Sequence, residues 1–236
     1  MTAAGADPGT WPGSPVELYA RQDALARARP PAWRAQPRPL VAGCFAAFPH
    51  GLTGPGAAGD PVWAGAALYR GKRCHGRATV TGTAGWRYEP GHLALRVGPI
   101  LESVVLALPN SPDVLLVDAT GRDHPRRCGL ALHLGAVLGL PTIGVTHRPL
   151  LASGPCPSDE RGATSPLLHD GELVGHWLRM RAGRRPVAVH AAWRTDADTA
   201  ARVVLGTGHH RTPGPVREAR RLARQARQAR ATNASP

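Results

Sequence analysis

The chain has 236 residues, 42% of them hydrophobic, and carries 29 Lys+Arg against 16 Asp+Glu, a formal net charge of +13 with a pI near 11.3. That length can bury a sizeable core. No apolar run approaches the ~20 residues of a membrane helix, and the opening MTAAGADPGTWPGSP has neither the basic start nor the apolar stretch of a signal peptide. The charge favours a polyanionic partner, nucleic acid above all, although Lys72 is the only lysine and a GC-rich genome also enriches arginine. Cys44, Cys74, Cys128 and Cys156 lie far apart without a C-x-x-C pair. They read as free thiols of a reducing cytoplasm.

Residues 1–15 read as a disordered leader, residues 16–215 as one domain and residues 216–236 as a basic C-terminal helix or tail. Val16 to Arg29 has helix formers and a weak apolar face, ended by Pro30-Pro31. Pro39 to Phe48, Val62 to Tyr69 and His75 to Thr83 follow at short spacing and predict an antiparallel meander. Trp86 to Gly98 is read as a connection. Pro99 to Leu108 predicts a helix, with proline near its start.

The centre of the chain is Pro112 to Leu150. Val114 to Val117 is a short apolar run, as in a strand buried on both faces. Arg126 to Gly139 has helical periodicity through Leu130, Leu134, Val137 and Leu138, and Pro141 to Val145 is a second buried strand. This is a parallel strand–helix–strand crossover, right-handed by default. Ligands of open α/β sheets gather at the carboxyl ends of such strands, where Asp118 and His147 stand. Ala152 to Ser165 reads as a polar loop. Strands are predicted over Gly171 to Leu178 and Pro186 to Ala191, and a helix over Thr195 to Leu205, capped at its first residue. Arg217, Arg220, Arg224 and Arg227 form one stripe of a final helix, a pattern that most often lies solvated. A meander followed by a parallel unit is the order of ribonuclease-H-like mixed sheets. In that fold, carboxylates on neighbouring strands bind Mg²⁺.

Three segments carry a resemblance. Asp118-Ala119-Thr120-Gly121-Arg122-Asp123-His124-Pro125-Arg126 is followed by Gly129, Ala131, His133 and Gly135, then by Leu140-Pro141-Thr142-Ile143-Gly144-Val145. Upstream stand Val41-Ala42-Gly43 and Tyr88-Glu89-Pro90-Gly91-His92-Leu93-Ala94-Leu95-Arg96. Together they resemble the endonuclease V family, from about Leu18 to Arg224. The resemblance implies a ribonuclease-H-like fold and Mg²⁺-dependent (or Mn²⁺-dependent) cleavage of a strand near hypoxanthine, a deaminated adenine, in DNA repair. It also implies that the segment from Tyr88, with Pro90, is a wedge. Gly91, Leu93, Gly121, Gly144 and Leu150 would then surround the flipped base. The chemistry suits these residue types: glycine lets backbone approach a planar ring, an aromatic ring is a stacking surface, and flipping costs least for a mispaired base.

The same resemblance shows what is missing. The family's first metal-binding aspartate corresponds to Phe45 and its glutamate to Val97, leaving Asp118; its lysine corresponds to His147 and its late histidine or acid to Arg220. Mg²⁺ takes oxygen ligands, and phenylalanine and valine supply none. Glu102, five residues beyond Val97, is set to point elsewhere on a helix. Asp123, on the Asp118 loop, is the best replacement ligand and would share an ion with Asp118 and His124; Glu89 is a second candidate. Two readings follow. One is a nuclease with Asp118 and Asp123 on the metal and His124 or His147 positioning phosphate or water. The other is a protein that binds DNA or RNA, or a flipped base, without cutting. Neither fixes the oligomeric state.

Overall fold

A computed structural model describes residues 10–51 and 55–233, with the side chains of 230–233 left aside. Helix α1 (Pro15–Arg27) precedes the meander β1 (Leu40–Ala47), β2 (Pro61–Arg70) and β3 (Arg73–Thr83). Next come α2 (Leu93–Leu106), β4 (Val114–Val117), α3 (Leu130–Leu138) and β5 (Thr142–Thr146). The chain continues with β6 (Thr164–His169), β7 (Glu172–Leu178), β8 (Val187–Ala191), α4 (Ala197–Gly206) and α5 (Gly214–Asn233). The strands form one eight-stranded sheet in the order β3-β2-β1-β4-β5-β8-β7-β6. β1, β4 and β5 run parallel at its centre, and the two outer sets run antiparallel. The mixed sheet inferred from the sequence is therefore the fold.

The four residues of β4 show how the core divides. Leu115 and Val117 join Leu18, Ile100, Leu101 and Leu132 under α1–α3, while Val114 and Leu116 join Ile143, Val189, Val204 and Val216 under α4 and α5. Successive strand side chains point to opposite faces, so a continuous apolar run is required where helices cover both. β3, at an edge, alternates exposed and half-buried residues along its whole length. α5 lies across β1 and β2. It can do so because Gly43 and Gly65 lack side chains: a Cβ at Gly43 would stand 2.5 Å from the Pro215 backbone, and one at Gly65 2.5 Å from the Ala219 carbonyl oxygen.

Several boundaries differ from expectation. α2 begins at Leu93, six residues before the proline, so Pro99 lies inside the helix. Proline's preference for first turns misplaced the start; buried Ala94, Leu95 and Val97 extend the apolar face upstream. α3 begins at Leu130, because His124 to Arg127 form a turn, closed by the Arg127 amide donating to the His124 carbonyl oxygen, with Arg127 at φ 53°. α4 is capped by Asp196, whose side chain accepts from the Thr199 amide, and not by Thr195, whose hydroxyl donates to the Thr142 carbonyl oxygen. β6 starts within the expected loop Ala152–Ser165 and runs on into a stretch for which no strand was expected; it is a short outer strand whose Ser165 and Leu167 alone are buried, too weak an alternation to stand out. Of the expected leader, residues 1–9 lie outside the described residues. From Thr10 the chain is packed: the Trp11 ring stacks on His133, and its Nε1 donates to Glu102 Oε2 at 2.7 Å. Glu102 is thereby engaged by Trp11. The four cysteines are free. Among the described residues no helix is long and apolar enough to cross a membrane.

Candidate base pocket and metal-site remnant

At the carboxyl ends of the parallel strands a cavity of about 260 Å³ brings together Asp118, His124, Tyr88, Pro90, Gly91, Leu93 and Leu150. Its size suits one heterocycle better than a larger ligand. Tyr88, Leu93 and Leu150 are 45%, 37% and 54% exposed, three large apolar side chains around one opening. Such an exposed cluster marks a contact surface. Backbone and buried charge hold the wall from Tyr88 in place. The Tyr88 amide donates to the Gly56 carbonyl, and Arg96, buried on α2, reaches the Ala57 and Trp86 carbonyl oxygens and Asp60 Oδ2. Glu89 faces Arg87 and His92.

Gly121 and Gly144 stand behind the pocket. A Cβ on Gly144 would lie 2.4 Å from the Ala119 carbonyl oxygen, and one on Gly121 2.1 Å from that of Ala191. They let the Ala119–Gly121 loop seat against β5 and β8, so that Ala119 and Thr120 reach the cavity. The opposite wall is fixed by Asp123. Its Oδ1 accepts from the Leu151 and Ala152 amides, both at 2.8 Å, and its Oδ2 from the Leu150 amide at 2.6 Å. This corrects the expectation of a replacement ligand: the carboxylate is fully buried and committed to backbone amides. His124 is committed as well. Its Nδ1 accepts from the Arg126 amide and it makes a backbone hydrogen bond with Gly91. Burial lowers its pKa to about 4, so the imidazole is neutral at pH 7.

The sequence reading missed Gln22, Thr146 and His190. Gln22 comes from α1; its Nε2 donates to the Cys128 carbonyl oxygen, and its buried Oε1 accepts nothing from the protein. Thr146 ends β5 and lines the cavity, with Oγ1 2.8 Å from His190 Nε2. Only His190 left a trace in the sequence, a lone polar side chain in the strand Val187–Ala191.

Next to the cavity the positions implied for metal ligands form a different surface. Phe45, Val97, Leu101 and Leu130 line a narrow pocket that also touches Asp118. Arg220 of α5 binds Asp118 Oδ2 through Nη2 at 2.7 Å and Nε at 3.2 Å, and its guanidinium lies 5.4 Å from the centre of the Phe45 ring. Arg224 approaches the same ring at 6.0 Å. The basic stripe expected to lie solvated is therefore turned inward at Arg220, and Arg227 donates to the Phe48 carbonyl oxygen. His147 is exposed, 3.4 Å from Thr212 Oγ1; burial and then Arg211 and Arg220 lower its pKa. Among the described residues no three His, Cys, Asp or Glu side chains are grouped to hold a metal ion. The donors present do not fit Mg²⁺, which needs oxygen ligands. One carboxylate remains, and a guanidinium already neutralises it.

The profile of the family described as Endonuclease V matches residues 37–221. The chain belongs to the endonuclease V family. It is 43% identical over 142 residues to an endonuclease V of Roseiflexus castenholzii, covering 59% of this chain and 64% of that relative. A relative from Streptomyces avermitilis is 41% identical over 150 residues, or 66% of its length. The chain thus matches just under two thirds of the length of these curated relatives. The crystal structure of an endonuclease V from Streptomyces avermitilis superposes with a TM-score of 0.82 at 34% identity, over 94% of this chain and 96% of that one. A Ciona intestinalis endonuclease V, solved with a 24mer DNA containing an inosine followed by a ribo-adenosine, shares the fold at 19% identity and a TM-score of 0.75, over 91% of this chain and 98% of that one. The segments from Tyr88 and from Asp118 line one cavity, and an arginine–carboxylate pair stands beside it.

Proposed function

We propose that this endonuclease V family member binds nucleic acid through an extruded, deaminated purine and does not cut it by metal-ion catalysis. The observation that carries this reading is the Asp118–Arg220 ion pair beside a complete base-sized cavity. In this reading Tyr88 and Pro90 open the strand, and Gly91, Leu93 and Leu150 enclose the base. Gly121 and Gly144 seat the wall behind it. The backbone phosphates run along α5, where Arg217, Arg220 and Arg224 border a shallow groove of about 700 Å³. The Ciona relative's complex with inosine-containing DNA supports the choice of base. Single-metal cleavage by Asp118 is the alternative, and it requires Arg220 to release the carboxylate.

What the residues do follows from their settings. Neutral His124 ties the Asp118 loop to Gly91, keeping two walls of the pocket together. Asp123 holds the third wall at Leu150. The unpaired Oε1 of Gln22 and the Thr146 hydroxyl offer hydrogen-bonding groups to the edge of a base, since flipped bases are read on such edges. The guanidinium of Arg220 supplies the positive charge that a metal would otherwise contribute at Asp118.

The test is incubation of inosine-containing DNA and RNA, single- and double-stranded, with Mg²⁺ or Mn²⁺, alongside an Asp118→Ala control. Expected are salt-sensitive binding and no cleavage above that control. Cleavage that disappears in Asp118→Ala would overturn the non-cutting reading.

A further inference from the structure

We propose that Thr146 reads the base: its hydroxyl oxygen, positioned by His190 and Asp123, accepts a hydrogen bond from the ring N–H that deamination creates in a purine. The inference rests on the cavity being a base site, and adds which group decides the base. Thr146 Oγ1 lies 2.8 Å from His190 Nε2 and 2.6 Å from the Arg148 carbonyl oxygen. His190 and Asp123 are fully buried, with His190 Nδ1 3.7 Å from Asp123 Oδ2. The carboxylate is immobilised by the three amides of Leu150 to Ala152. A buried carboxylate and imidazole thus stand in a row behind the hydroxyl of a cavity-lining residue, with no hydrogen bond between the first two.

Proton accounting makes that atom an acceptor. A hydroxyl has one proton and two lone pairs. If His190 carries its proton on Nε2, it donates to Oγ1, and the hydroxyl proton goes to the Arg148 carbonyl oxygen. If His190 carries it on Nδ1, facing Asp123, the hydroxyl donates to Nε2 or to Arg148. In both cases the protein uses the hydroxyl proton, and a lone pair is left for the ligand. Burial lowers the His190 pKa, so the ring is not an added cation at pH 7.

The consequence is selectivity. Deamination of adenine replaces the amine by a carbonyl and puts a proton on N1. Hypoxanthine then donates to Thr146 where adenine would set a lone pair against it. A site built around one hydrogen bond discriminates against the analogue that cannot make it, because its own polar group is left unpaired.

The experiment titrates the full chain, without divalent metal, into labelled DNA strands carrying one inosine, adenosine or N1-methylinosine. The ratio of affinities is the readout, because it does not depend on the fraction of active protein. The wild type should favour inosine over adenosine by about tenfold, the worth of one net hydrogen bond, and N1-methylinosine should fall to the adenosine level. Thr146→Val should bring the ratio close to one, and Thr146→Ser should recover it. His190→Leu should also lower the ratio, with His190→Gln, whose amide reaches the same atom, restoring part of it. If the wild type prefers inosine but the preference survives Thr146→Val, or N1-methylinosine binds as tightly as inosine, Thr146 is not the reader and the base-site reading stands. Equal binding of all three strands by the wild type would overturn both.

Discussion

At the scale of residues, the decisive feature is that a fixed cation sits on the retained carboxylate. Asp118 and Arg220 are each about four-fifths buried, so screening by water is limited and breaking the pair strands a charge. Arg220→Ala should cost ~1–3 kcal/mol in urea unfolding. Adding Asp118→Asn to it should recover part of that loss, because the stranded charge is removed; purely additive losses would mean that the pair is not coupled. Histidine chemistry gives a second expectation. Burial lowers the pKa of His124 and His133 to about 4 each, with Arg21 contributing at His133, and lowers that of His190 as well. The unfolded chain titrates near 6.5. Between about pH 6.5 and 4 it takes up protons that the folded chain refuses. This share of stability is complete above pH 6.5 and is lost as pH falls, by roughly 1 kcal/mol per pH unit for each histidine. Thermal melts across that range should show the loss, and His133→Leu should remove one histidine's share of it, since neither His133 ring nitrogen has a hydrogen-bond partner. The motifs made Tyr88, Gly91 and Leu150 legible as one site. Thr146 and Gln22 were not, because a single threonine on a strand and a glutamine on an amphipathic helix look like ordinary members of those elements.

At the scale of elements, α5 connects fold and site. Its approach to β1 and β2 is set by Gly43 and Gly65, and that approach carries Arg220 to Asp118. Gly65→Ala puts a methyl 2.5 Å from the Ala219 carbonyl oxygen, on rigid backbone. Overpacking of this kind costs ~1–3 kcal/mol. The helix should shift outward, weakening binding of inosine-containing strands together with stability. A variant that melts lower yet binds unchanged would show that Arg220 is placed independently of α5 seating. The arginine stripe was visible in the sequence, but its direction was not. A helical repeat tells which residues share a face, and only packing tells what the face meets. The start of α2 was misjudged for a similar reason: proline's local preference gave way to burial of Ala94, Leu95 and Val97.

At the scale of the whole molecule, the proposed binding would draw on the +13 charge through phosphate contacts. Binding to single strands should weaken on a log–log salt plot with a slope of about −0.7 per phosphate neutralised. Arg217→Ala, exposed at the α5 groove, should reduce that slope by roughly one contact while leaving the preference for inosine intact. A slope unchanged in this variant would place the strand elsewhere on the surface.

The sequence alone determined the family and the mixed sheet, and that Phe45 and Val97 carry no oxygen donors, because these reside in local patterns: apolar runs, spacing within motifs, and the identity of single side chains. What became of the remaining carboxylates was decided only by the tertiary structure. Asp118 meets Arg220 across 102 positions of chain, and Asp123 meets the amides near Leu150 across 27 to 29. Hydrogen bonds and ion pairs depend on distance and direction in space. A residue's chemical type states what it can offer, and the packed chain settles whether that offer is already taken.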